Sequence, residues 1–206
     1  MSEILVFPRS ACRLFIQALT REYKQGEAPS GAFWRERAAA EADEGTLQLV
    51  PYGLVCDPAG KVWCYRRLGG GEKRLSGRAS CGVGGHVERE DGTGNDAAFH
   101  AMAQACLLRE IHEEIAWPAG ESPIQELRPL LWIYDGSSPV GRVHLGLVFR
   151  VAWRAPQPPE PARGEAIEAL GFQSPEHVAG DPAFESWSRI AAGAWVERAP
   201  SKGKRG

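Results

Sequence analysis

One helix constrains this chain more than any other feature, because strand-like runs precede and follow it. Residues 97–115 place Ala101, Ala105, Leu108, Ile111 and Ile115 at spacings of three and four, which predicts an amphipathic helix closed by Pro118 and Gly120. Before it, residues 47–56 and 61–67 are rich in β-formers and flank Asp57-Pro58-Ala59-Gly60, which is turn chemistry, so they read as a hairpin. Residues 79–83 form a shorter strand that runs into Gly84-Gly85-His86. After the helix come strands over 127–134 and 142–153, with Asp135-Gly136 in the turn between them. A short strand over 165–172 follows, then helix starts at Ser174-Pro175-Glu176 and at Asp181-Pro182.

The same helix concentrates charge. Glu110, Glu113 and Glu114 stand at i, i+3 and i+4, which puts three carboxylates on one face, read here as the face opposite Leu108, Ile111 and Ile115. Like charges so spaced oppose helix formation by roughly 0.2–0.5 kcal/mol per pair. Arg109 relieves one of them, whereas a hard divalent cation would relieve the whole set, since Mg²⁺ shares itself among carboxylates, water and phosphate oxygens. A solvated acidic face is the plain alternative. Upstream, the paired glycines Gly84 and Gly85 let backbone approach a ligand closely.

Bulk properties narrow the classes further. The chain has 206 residues, 43% hydrophobic and 24% charged, enough to bury a core. A net charge of -2 gives no general surface for polymeric nucleic acid, and no apolar run approaches the ~18 residues that span a bilayer. Glu3, Pro8, Arg9 and Arg13 interrupt the first twenty residues, which therefore lack a signal-peptide core. The five cysteines are scattered without a CxxC pair, so they read as free thiols in a reducing compartment, and a cytoplasmic protein is expected.

Taken together, the glycine bend and Arg109-Glu110-Ile111-His112-Glu113-Glu114-Ile115-Ala116-Trp117 resemble the Nudix box. That box reads G, five residues, E, seven residues, then R-E-U-x-E-E-x-G-U, with U bulky and apolar. Gly85 matches its opening glycine and Trp117 its closing apolar position, and the resemblance covers residues 47–172. Ser80-Cys81-Gly82-Val83-Gly84-Gly85-His86-Val87 and Val143-His144-Leu145-Gly146-Leu147 also resemble a Nudix subgroup called predicted phosphoesterases. The resemblance implies an α/β fold, the Nudix α/β/α sandwich with a mixed β-sheet. Residues 46–198 would form the domain, 1–45 an extension packed on it, and 199–206 a disordered basic tail.

Three departures stand out. Gly85 to Arg109 spans 24 positions where the pattern requires 14, so ten residues are inserted. Eight positions before Arg109 lies Ala101, so the box's first glutamate is missing there; Glu88, Glu90, Asp91 and Asp96 are the acids that can replace it. Ala116 stands in place of a glycine.

By the resemblance, Glu110, Glu113 and Glu114 hold Mg²⁺, with Mn²⁺ as a substitute. Arg109, Glu110 and Glu113 are then the catalytic set, and Gly84, Gly85 and His86 contact substrate. The implied activity is a pyrophosphohydrolase acting on a nucleoside diphosphate linked to another moiety. Two alternatives remain: a degenerate domain that binds a nucleotide as a sensor, and an isoprenoid-diphosphate isomerase-like enzyme using Cys81. Glu168 is a further candidate ligand or base. Arg66, Arg67, Lys73, Arg74 and Arg78 flank a glycine-rich loop and are candidates to receive phosphate, with a charged, soluble hairpin as the default. Trp63, Trp132 and Tyr134 are candidates for stacking on a base, with core packing as the default. His112 is expected to be exposed, His144 to be structural, and Trp187 and Ser188 to serve packing and capping.

Overall fold

The computed structural model describes residues 2–69, 77–92, 99–118, 120 and 122–198. Residue 46 begins the longest strand, Thr46–Cys56, almost every residue of which is buried. Such a run, apolar on both faces, belongs in the middle of a covered sheet. In chain order the strands are β1 Glu3–Pro8, β2 Thr20–Glu22, β3 Phe33–Glu36, β4 Thr46–Cys56, β5 Val62–Arg67, β6 Ala79–Ser80, β7 Gly82–Gly84, β8 Ile124–Ile133, β9 His144–Trp153 and β10 Ile167–Gln173. The helices are α1 Arg37–Glu41, α2 Phe99–Glu114, α3 Pro139–Arg142, α4 Pro175–Gly180 and α5 Ser186–Arg198.

The main path of the sheet runs β10-β5-β4-β9-β8-β2. β4 and β9 pair in parallel from Gln48↔His144 to Cys56↔Ala152, and the neighbouring pairs are antiparallel, so the sheet is mixed. The first 45 residues supply strands to it: β1 pairs β4 at Phe7↔Leu47, and β2 pairs β8 at Arg21↔Trp132. Period-two alternation then sorts side chains between two cores. Leu49, Val55, Trp63, Leu147, Phe149 and Val151 face α2, whereas Tyr52, Leu54, Cys64, Leu131 and Val148 face α4 and α5. The result is a sheet covered by helices on both faces, as the α/β/α sandwich requires.

Sequence reasoning located most elements but not their details. Residues 35–44 are rich in Ala, Glu and Arg, which favour helix, yet the first two continue β3 and only Arg37–Glu41 is helix. The helix expected from Asp181 starts at Ser186. α3 was not anticipated, although Ser138 caps it through Gly141 N and Pro139 opens it. The expected disordered tail lies outside the described residues. Among those described, no helix is long and apolar enough to cross a membrane.

A buried polar network fixes β7 from the α5 side. The Tyr52 hydroxyl donates to Glu185 Oε1 at 2.9 Å and lies 2.8 Å from Ser188 Oγ. Ser80 Oγ donates to the same Glu185 oxygen at 2.7 Å, and Cys81 N donates to Ser188 Oγ at 2.9 Å. With Tyr52 so anchored, its ring lies flat against Gly82: a Cβ there would fall 1.9 Å from Tyr52 Cζ. Gly82→Ala is therefore expected to destabilise the protein by about 1–3 kcal/mol through overpacking. Urea unfolding checks this, and an unchanged midpoint would contradict it.

Candidate active site

β7 delivers the chain to the glycine bend. Gly84 pairs with Tyr52, and a Cβ on Gly84 would fall 2.0 Å from the Pro51 carbonyl oxygen. A Cβ on Gly85 would fall 2.1 Å from Glu110 Oε1. Neither glycine has a positive φ, so the side chain is excluded by close approach rather than by backbone conformation. The bend is closed on the protein's own glutamate.

That contact depends on the phase of α2, which differs from the sequence expectation. Its buried face is Ala103, Cys106, Leu107 and Ile111, while Ala101 and Leu108 are exposed. Of the expected stripe Ile111 and Ile115 are buried as read, but Ala101 and Leu108 are not, because Cys106 and Leu107 fill the core in their place. Correctly phased, Glu110 and Glu114 fall at the margin of the buried face and point inward, and only Glu113 points out. Side-chain exposure is 15% for Glu110 and 56% for Glu113.

Arg109 organises this group. Its Nε donates to Asp91 Oδ1 at 2.9 Å and its Nη2 to Asp91 Oδ2 at 3.1 Å. Its Nη1 donates to Glu110 Oε1 at 2.7 Å and reaches Glu113 Oε1 at 3.5 Å, and Nη2 also donates to the His86 carbonyl at 3.2 Å. Asp91 is buried, and its Oδ2 accepts from Glu88 N at 2.8 Å as well. Its hydrogen bonds to Asp91 hold the Arg109 guanidinium firmly in its charged form.

Asp91 therefore stands where the box places its first acid. Counted forward from Gly85, five residues intervene before Asp91, as the pattern requires. The insertion falls between Asp91 and Arg109, and counting back from Arg109 crossed it. Forward counting was the signal in the sequence that would have found Asp91. Asp96 lies outside the described residues, and Glu90 is exposed.

Electrostatics separates the two inward acids from ordinary surface carboxylates. Burial raises the Glu110 carboxyl, opposed by Arg109. Burial pushes Glu114 up to about 7, opposed by the Arg67 guanidinium. Glu114 Oε2 is shielded from solvent and meets no hydrogen-bond partner. Among the described residues, no three His, Cys, Asp or Glu side chains converge closely enough to hold a metal ion by themselves.

The remaining expectations divide cleanly. His86 is turned into the protein. Its Nε2 lies 3.0 Å from His144 Nε2, whose Nδ1 lies 2.7 Å from the Val140 carbonyl. The carbonyl calls for a proton on His144 Nδ1, so His86 Nε2 is the donor of the pair. Burial, with His144 and Arg37 nearby, pushes His86 down to about 3, so it stays neutral. Cys81 is buried and burial pushes its thiol well up, which leaves no thiolate for isomerase chemistry. Trp63 and Trp132 are fully buried in the core, and Tyr134 accepts a hydrogen bond from Arg9 at 3.1 Å. Trp187 packs edge-on against Tyr52, and His112 stacks on Trp117 with ring centroids 3.7 Å apart. Glu168 forms an exposed ion pair with Arg66 at 3.2 Å. Arg78 donates to the Pro182 carbonyl, while Lys73 and Arg74 lie outside the described residues. Where the box has glycine, Ala116 N donates to the Glu160 carbonyl at 2.8 Å, so the helix exit is fixed by the proline-rich segment instead.

No family model matches the sequence. The structure of Tm1382, a candidate Nudix hydrolase, superposes with a TM-score of 0.73 and 25% identity, over 95% of this chain and 98% of that one. The chain has the Nudix fold. A Nudix hydrolase from Alicyclobacillus acidocaldarius shares the fold, with a TM-score of 0.51 and 14% identity over 73% of this chain and 91% of that one. Protein YmaB of Bacillus subtilis (strain 168) is 33% identical over 134 residues, 65% of this chain; the match spans only 56% of YmaB. Within this Nudix domain the inserted box keeps its acid–arginine clamp. Asp91→Ala should therefore cost about 2–3 kcal/mol by stranding a half-buried guanidinium. Glu113→Ala, at an exposed and long contact, should cost under about 0.5 kcal/mol. Equal losses for the two variants in chemical denaturation would show that Asp91 does not hold Arg109.

Proposed function

We propose that the chain is a Mg²⁺-dependent hydrolase that cleaves the diphosphate bond of a nucleoside diphosphate linked to another moiety. The observation that carries this reading is the inward pair of carboxylates, Glu110 and Glu114, set against a side-chain-free bend. A surface helix face would leave these acids in water. Here they are drawn in, and one oxygen of Glu114 is left without a donor.

Magnesium fits this donor set. All the donors are carboxylate oxygens, as a hard cation prefers, and Mg²⁺ needs only one or two of them because water and substrate phosphate complete its shell. A cation would also satisfy the orphaned oxygen of Glu114, whose burial otherwise disfavours the charged form. Glu110, Glu113 and Glu114 are the residues that would hold it. When bound, it would neutralise phosphate charge and lower the pKa of an attached water.

The rest is positioning by the chain itself. Asp91 orients Arg109; Arg109 holds Glu110 against Gly85 and draws Glu113 toward the same edge. Gly84 and Gly85 let the bend close on Pro51 and Glu110, and His86 braces the loop through His144. A sensor without turnover drew its support from the missing first acid, and Asp91 removes that support.

Glu113→Gln and Glu114→Gln are each expected to fold normally and to lose about 10²-fold or more of Mg²⁺-dependent turnover. Phosphate release from a panel of nucleoside diphosphate conjugates measures this. Metal-free Glu114→Gln should be at least as stable as the parent, since it removes an unpartnered buried carboxylate. Parental rates from both variants would remove the mechanism.

A further inference from the structure

Arg67, the last residue of β5, is a half-buried cation whose partners do not account for it. Its Nη2 donates to the Tyr65 hydroxyl at 2.9 Å, and that phenol in turn donates to the Gly82 carbonyl at 2.8 Å. The guanidinium carbon lies 5.2 Å from the Tyr65 ring centroid. Arg67 Nε is shielded from solvent and meets no acceptor. Of the five N–H donors that a guanidinium carries, one meets an acceptor among the described residues.

Opposite it stands Glu114, with the complementary defect. Its Oε2 is shielded and meets no donor. The two groups feel each other, since Arg67 favours the charged form of Glu114, yet no ion pair closes between them within 4.0 Å. An unpaired buried charge is costly, and two of opposite sign would ordinarily collapse into contact. Tyr65 instead holds the Arg67 fork by its hydroxyl, which is itself tied to the Gly82 carbonyl of β7.

We propose that Arg67 binds the substrate's diphosphate oxygens, facing the carboxylate side of the site from β5. This rests on the hydrolase reading above and names a phosphate-binding group for it. The chemistry suits arginine over lysine, because a planar fork can give two parallel N–H bonds to one phosphate. It also separates Arg67 from Arg66 beside it, whose side chain points out into an exposed ion pair with Glu168.

Methylenediphosphonate, a diphosphate analogue whose bridge does not hydrolyse, tests the assignment by calorimetry in the presence of Mg²⁺. Arg67→Gln should weaken its binding by about tenfold or more, and Arg67→Lys, which keeps the charge but not the fork, by about three- to tenfold. Mn²⁺ binding without the analogue, followed by electron paramagnetic resonance, should be unchanged or tighter in Arg67→Gln, because a like charge has been removed. This opposite response is what a merely structural arginine would not give. Unchanged analogue binding in both variants, or equal weakening of analogue and Mn²⁺, overturns the inference. Turnover by the parent chain with no effect of Arg67 would sink the inference and leave the hydrolase. Arg67-dependent analogue binding without turnover of any diphosphate would do the reverse.

Discussion

The Arg109 guanidinium is the joint on which the site turns, because it ties together parts of the chain that the insertion has moved apart. Its two hydrogen bonds to Asp91 bring the short turn after the glycine bend to the end of α2. Its bond to the His86 carbonyl fixes the bend itself. Loop closure costs grow only logarithmically with length, so ten extra residues between Asp91 and Arg109 add little entropy provided the ends are pinned by something strong. A bidentate, charge-assisted contact with a buried carboxylate is strong in that sense. The insertion is tolerated because the clamp bridges it.

The opposite side of the glycine strand is held with equal care and by different means. Tyr52, Ser80, Ser188 and Glu185 form a network in which one Glu185 carboxylate oxygen accepts from three hydroxyls. Glu114 has no such donors, and its burial pushes it toward its neutral form. The two acids are thus a controlled contrast within one fold. Glu185 is satisfied and structural; Glu114 is unsatisfied and lies on the helix that carries the box.

Much of this was legible in the sequence, and the failures have definite physical origins. Strand and turn chemistry located β4, β5, β8 and β9 to within a few residues, because β-branched and apolar runs bounded by Asp57-Pro58 or Asp135-Gly136 leave few alternatives. The existence of α2 and the acids on it were evident from spacing. Its phase was not, because α2 is weakly amphipathic: glutamates lie at the edge of its buried stripe and Leu108 lies outside it. A site that pulls carboxylates inward degrades the very periodicity used to find the inward face. The bracing contact of His86 was not legible for a related reason. Its partner His144 is 58 positions away, on β9, and no local pattern announces such a pairing.

Unpaired buried groups are the residue of function that packing does not explain. A core free to optimise stability alone would join Arg67 to Glu114 or replace both with apolar side chains, often at a gain in stability. Instead β5 holds a cation by one hydroxyl, α2 holds an anion by none, and the glycine bend packs directly against Glu110 of the same helix. Each feature alone is an unremarkable imperfection of a folded chain. Their meeting on the α2 side of β5 and β7 is what a ligand carrying both signs of charge, a metal and a diphosphate, would require. The polarity also follows from the topology: the sheet contributes the positive partner and the helix the negative one, so such a ligand would be gripped between two rigid elements rather than by a loop.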